Sequence, residues 1–237
     1  MTFGKKELAA YTGEFLGTAT LTLIVLSVQR STIGVPFFVA IAAGLAVTLM
    51  SFAVARTSGG YFNPALTLGM WTARKLSSIN AIIFIAVQLL GALAAYHLYT
   101  YYVGNDLQNV GGEYSGKILT AEVVGTAIFA FAWAAAVYQR FTSATSAAVA
   151  GLALTVGIVA ASSASIGILN PAVALGIKAW VWGTYVLGPI VGAVIAVNLY
   201  GMLFADNGTA KASKADTASP VAAKKAPARK KTASKKK

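Results

Sequence analysis

The chain has 237 residues, 57% of them hydrophobic and only 11% charged. A water-soluble domain carries about 25% charged residues, so this much apolar surface excludes an ordinary soluble fold and implies a lipid-facing one. With no cysteine and a single histidine, His97, a disulfide framework and a thiolate or histidine-rich metal centre are excluded. The net charge of +12 suggests nucleic acid, yet ten of the nineteen Lys and Arg residues lie from position 206 onward, so the basicity belongs mainly to a tail.

Lys5 and Lys6 precede the first long apolar run, and no small-residue cleavage site closes it, so it reads as a retained membrane helix. About 20 helical residues cross a ~30 Å hydrocarbon layer. Runs of that length predict spans over 8–29, 36–55, 80–103, 118–138, 146–166 and 183–205. Two pieces, 64–73 and 171–181, are too short to span, and each opens on Asn-Pro, with proline suited to the first turn of a helix. They predict re-entrant half-helices buried in protein or lining a wet cavity. The expected fold is an all-α membrane protein with six transmembrane helices plus two re-entrant half-helices.

Residues 1–205 read as one channel domain with halves near 8–103 and 118–205, and 206–237 as a disordered Lys/Ala-rich cytoplasmic tail. Such a tail would contact anionic lipid or another polyanion. Lys5, Lys6, Arg56, Arg74, Lys75, Arg140 and the tail fall on one side of six spans; Arg30, Lys117 and Lys178 fall on the other. The positive-inside tendency then puts both termini in the cytoplasm, with the chain integral to the cell membrane. Tyr99, Tyr101, Tyr102, Trp133, Trp180 and Trp182 sit near predicted helix ends, where an aromatic belt would place them.

An internal repeat organises these spans. Gly44-Leu45-Ala46-Val47-Thr48 and Gly151-Leu152-Ala153-Leu154-Thr155 are 107 positions apart, as are Asn63-Pro64-Ala65 and Asn170-Pro171-Ala172. Glu14 and Glu122, each opening a short motif ending Gly-Thr, are 108 apart. Three spans per repeat put the second half in the membrane upside down, the inverted arrangement common in transport proteins. The half-helices then dip in from opposite faces and meet at the middle.

An Asn at the head of a half-helix caps it through its side-chain oxygen and presents its amide N–H groups as donors. Two such donors can hold the oxygen of a water or hydroxyl group in single file. Two helix N-termini aimed at one spot, each with about half a positive charge, repel cations and protons while tolerating neutral polar molecules.

These residues resemble the aquaporin, or major intrinsic protein, family. The resemblance rests on Ser58-Gly59-Gly60-Tyr61-Phe62-Asn63-Pro64-Ala65-Leu66-Thr67, on Asn170-Pro171-Ala172 with its upstream Gly-Leu-Ala motif, on the Glu14 and Glu122 motifs and on Gln88; it covers residues 8–205. It implies a homotetramer in the lipid bilayer, with one passive pore per subunit and no cofactor. Carboxylates inside a membrane are expensive and usually functional. The resemblance makes Glu14 and Glu122 acceptors for backbone N–H groups of the re-entrant loops, supports rather than proton carriers.

The resemblance also places a selectivity filter at Ala43, Ile158, Gly167 and Val173. Water-selective members carry an aromatic where this chain has Ala43 and usually a histidine where it has Ile158. Where it has Val173 an arginine is very common, and glycerol channels usually follow that arginine with an Asp, here Ala174. The ring is therefore expected to be wider and more apolar than in a water channel, with water, glycerol, urea, ammonia or dissolved gases as permeants. Two alternatives stand beside a passive channel: a poorly conducting structural or adhesive protein, and a weakly ion-conducting pore. No nucleophile–base–acid set or phosphate loop suggests an enzyme.

Overall fold

A computed structural model describes residues 4–205. The basic tail and its partners lie outside the described residues. Eight α-helices follow in order: α1 (Lys5–Gln29), α2 (Pro36–Ser58), α3 (Pro64–Thr72), α4 (Ser78–Val103), α5 (Gly116–Tyr138), α6 (Ser143–Ala161), α7 (Pro171–Gly176) and α8 (Leu187–Leu203), the last entered through a π-helical turn at Trp182–Val186. Six of these segments are long and apolar enough to cross a membrane, and the described residues hold no strand. The fold is the all-α bundle that the apolar run lengths require.

Successive spans alternate in direction, so α1 starts and α8 ends on one face, here the near face. α3 runs from the bundle interior back to the near face, and α7 from the interior to the opposite, far face. The inverted repeat is visible in the packing: α1 lies on α4 as α5 lies on α8, and α2 crosses α6 between the halves. At that crossing a Cβ on Gly44 would sit 2.6 Å from the Gly151 carbonyl oxygen, and one on Gly151 would sit 2.3 Å from that of Gly44. Only two glycines let these backbones meet, the small-residue contact by which helices pack when lipid removes the hydrophobic drive.

The boundaries shift by a few residues, and most at the ends of α6 and α7. α6 ends at Ala161 rather than near 166. Ser162 turns its hydroxyl back to the Ile158 carbonyl at 2.7 Å, and the chain leaves the helix to carry residues 165–169 into the interior. α7 stops at Gly176 rather than near 181. Lys178 takes a left-handed backbone (φ 61°), and its carbonyl accepts from Val110 N–H at 2.9 Å, which ties this segment to the loop between α4 and α5.

Trp133 is a correction. It lies five residues before the end of α5 but is 7% exposed and faces the bundle interior, whereas Tyr101 and Trp182 are 82% and 65% exposed. Trp180 and Tyr102 are exposed as a belt requires, and so is His97.

Candidate pore and its two boxes

The residues preceding each box carry the geometry. Phe62 and Leu169 are bulky yet have positive φ (49° and 55°), a conformation costing on the order of 1–3 kcal/mol and kept only where the surroundings enforce it. Glu14 supplies that enforcement in the first half. Its carboxyl oxygens accept from Tyr61 N–H at 3.0 Å and Phe62 N–H at 2.7 Å. In the second half Glu122 accepts from Ile168 N–H at 3.0 Å and Leu169 N–H at 2.7 Å. Both glutamates are fully buried, and a buried carboxyl persists only with such partners. Glycines make the room: a Cβ on Gly17 would lie 2.1 Å from the Phe62 ring, and one on Gly125 would lie 2.8 Å from the Leu169 side chain.

Asn63 and Asn170 then cap the half-helices. Asn63 Oδ1 accepts from Ala65 N–H at 2.8 Å, and Asn170 Oδ1 from Ala172 N–H at 3.0 Å, caps worth roughly 1 kcal/mol each. Pro64 and Pro171 open the first turns, where no N–H is needed, and Ala65 and Ala172 are buried with no exposed surface.

The amide groups are not both free, as the sequence alone suggests. Asn63 Nδ2 donates to the Leu169 carbonyl, and Asn170 Nδ2 donates to the Phe62 carbonyl, both at 2.8 Å. Each box is thus bonded to the residue before the other one. An amide nitrogen carries two N–H groups, so each asparagine spends one on fixing the pair and has a second to offer. The carbonyl that receives the bond belongs to the same positive-φ residue whose N–H the glutamate holds. Carboxyl, strained residue and asparagine form one closed circuit.

Ala43, Ile158, Gly167 and Val173 come together around one cavity on the far side of the boxes. Leu21, Val25 and Gln29 of α1, Val39 of α2, Leu154 of α6, Ile166, Ile168, Asn170 and Ile177 complete its wall. Its lining is aliphatic apart from Gln29 and Asn170. It leaves about 20 Å³ for water centres, and one water needs roughly 10–15 Å³. Leu21, Leu154, Ile158 and Ile166 are the bulky members of this wall, and the aromatic and the arginine are absent from it.

The sequence reading missed Gln29, which lines this cavity, and the part played by its neighbour Arg30. Arg30 Nη2 donates to the Gln108 carbonyl at 3.1 Å and the Ile177 carbonyl at 3.3 Å, and Gln29 Oε1 is buried without a partner. Arg30 carries a positive charge to the end of α7, several residues from Val173. Lys178 pairs instead with Asp106 at 3.4 Å, well exposed at the surface.

Comparison with known proteins agrees with this geometry. The sequence profile of the family described as major intrinsic protein matches residues 3–200. The chain is 30% identical over 231 residues to a protein named aquaporin Z from Photorhabdus laumondii, covering 85% of this chain and 98% of that one. It is 29% identical over 205 residues to a glycerol uptake facilitator protein-like 6 from Lactiplantibacillus plantarum, covering 78% and 94% respectively. In fold it is similar to the X-ray structure of the aquaglyceroporin from Plasmodium falciparum, with TM-score 0.70 at 21% identity over 83% of this chain and 96% of that one.

Proposed function

The chain belongs to the major intrinsic protein family, a family of membrane channels for water or small solutes, and on that premise we propose that it passes uncharged molecules near the size of water in single file. The reciprocal bonds between the boxes carry this reading. They fix two half-helix N-termini head to head with one spare amide N–H each, a focus of positive potential that opposes cations and protons. The boxes act as the charge barrier, and Ala43, Ile158, Gly167 and Val173 act as a filter selecting by size and ease of dehydration. Glu14 and Glu122 act as supports for the loops.

The small, mostly aliphatic cavity favours solutes that are compact and shed water cheaply, so water and ammonia are the expected permeants, with glycerol and urea slower. We read the near face as cytoplasmic, from its Lys and Arg excess, and the working unit in the cell membrane as a homotetramer.

The test is reconstitution into vesicles, following volume after sucrose, glycerol and urea steps, ammonia entry by an internal pH dye, and conductance in parallel. Water and ammonia flux above that of empty vesicles, without current, is expected. Flux no faster than in empty vesicles for every solute would leave a structural protein of this fold; ohmic current would leave an ion pore.

A further inference from the structure

The inverted repeat maps the wall of the far cavity onto the near half of the bundle. At an offset of 108, Leu21 and Val25 of α1 correspond to Phe129 and Trp133 of α5; at 107, Ile158 corresponds to Ser51 and Gly167 to Gly60. Packing bears the correspondence out. A Cβ on Gly167 would meet the Ile158 side chain at 3.0 Å, and one on Gly60 would have Ser51 Oγ among its neighbours at 3.4 Å.

What changes between the halves is chemistry. Trp133 Nε1 and Ser51 Oγ are buried, in residues only 7% and 5% exposed, and neither has a hydrogen-bond partner. A buried indole N–H normally finds one, and an orphaned buried polar group costs about 1–3 kcal/mol. Both stand at positions whose counterparts, Val25 and Ile158, line the far cavity. Tyr61, two residues before the first box, stacks beside Trp133 with ring centroids 6.0 Å apart, and Phe129 lies 6.1 Å from Trp133 on the other side.

We propose that Ser51 and Trp133 form a second selectivity station in the near half of the pore, which binds small neutral solutes through hydrogen bonds at two positions whose far counterparts, Ile158 and Val25, are aliphatic. The indole N–H donates to a solute lone pair, and the serine hydroxyl donates or accepts. A molecule leaving the boxes toward the near face meets Ser51 and Trp133, whereas one leaving toward the far face meets Ile158 and Val25 at the matching positions and a polar side chain only at Gln29, near the end of α1. This rests on the channel reading above.

The experiment compares wild type with Ser51→Ala, Ser51→Thr and Trp133→Phe in vesicles, reading water, ammonia and glycerol permeability together. Ser51→Ala and Trp133→Phe should each lower water permeability about three- to tenfold and shift its ratio to ammonia permeability at least twofold, with Ser51→Thr near wild type. A purely structural role would scale all solutes alike or change none, and either result overturns the station while leaving the channel. Should Trp133→Phe fail to fold, the serine pair decides alone. Wild-type flux equal to that of empty vesicles would overturn the channel reading and this station with it.

Discussion

The two box loops are held by the same bonds, yet their carboxyl groups are held differently. Glu14 also accepts from Gln88 Nε2 at 2.8 Å, and Gln88, fully buried on α4, reaches Thr67 of α3 at 3.0 Å. Glu122 instead accepts from the hydroxyl of Ser165, a member of the loop it supports. The first loop is braced across three helices, and the second by its own Ser165 together with Tyr185 of the π-helical turn, which bonds Ser165 and the Ile166 backbone. Repeat symmetry therefore fixes what each loop must do without fixing how its support is supported.

Glu14→Ala should break this comparison hardest. It leaves Tyr61 N–H and Phe62 N–H without an acceptor and takes from Gln88 Nε2 one of its two, at a fully buried carboxyl position. At about 1–3 kcal/mol per orphaned group, loss of folded protein in detergent by size-exclusion is expected. Glu122→Ala orphans two backbone N–H groups, while partly exposed Ser165 can turn to water. Its thermal melting should fall less than that of Glu14→Ala; an equal or larger loss would refute the difference in bracing.

Val173→Arg tests the far half. A long cationic side chain in a cavity with about 20 Å³ for water centres should block it, lowering water permeability tenfold or more in vesicles. Unchanged permeability would mean that Val173 does not line the conducting path.

Gln88→Leu sharpens the comparison at a smaller scale. It removes one donor from Glu14 and one from Thr67, which should cost about 1–3 kcal/mol of stability. Ser165→Ala should cost less, and chemical denaturation in one detergent would rank the two.

The smallest effect belongs to Asp106→Asn. The Tyr96 hydroxyl, and then the Leu107 N–H, hold the Asp106 carboxyl below the usual carboxylate range, and the hydrogen bond to Asp106 raises Lys178. The depressed acid contributes above its unfolded value of about 3.9, fading as pH falls through the folded one; the raised lysine contributes below about 10.4, fading at higher pH. Between roughly pH 5 and 9 both contributions are constant. For so exposed a pair the melting temperature of the variant should match wild type across that window.

The candidate site was largely legible beforehand. Asn63 and Asn170, the two glutamates and the four cavity residues follow from a constant offset and from family spacing, which are one-dimensional signals. The termination of α6 at Ala161 was not legible, because Ser162–Ser165 continue a small-residue run and only the bond from Ser162 to Ile158 shows the helix releasing the chain.

By itself the sequence determined six spans, two half-helices and their inverted pairing, because span length and repeat offset can be counted along the chain. Only the tertiary structure decided that each asparagine bonds across to the other loop, that Gln29 joins the wall of the far cavity, and that Trp133 faces inward. The reason is physical. In lipid the outside of a helix is as apolar as its core, so periodicity that would show the buried face of a soluble helix is silent here. Which face of α5 turns inward is settled by packing alone.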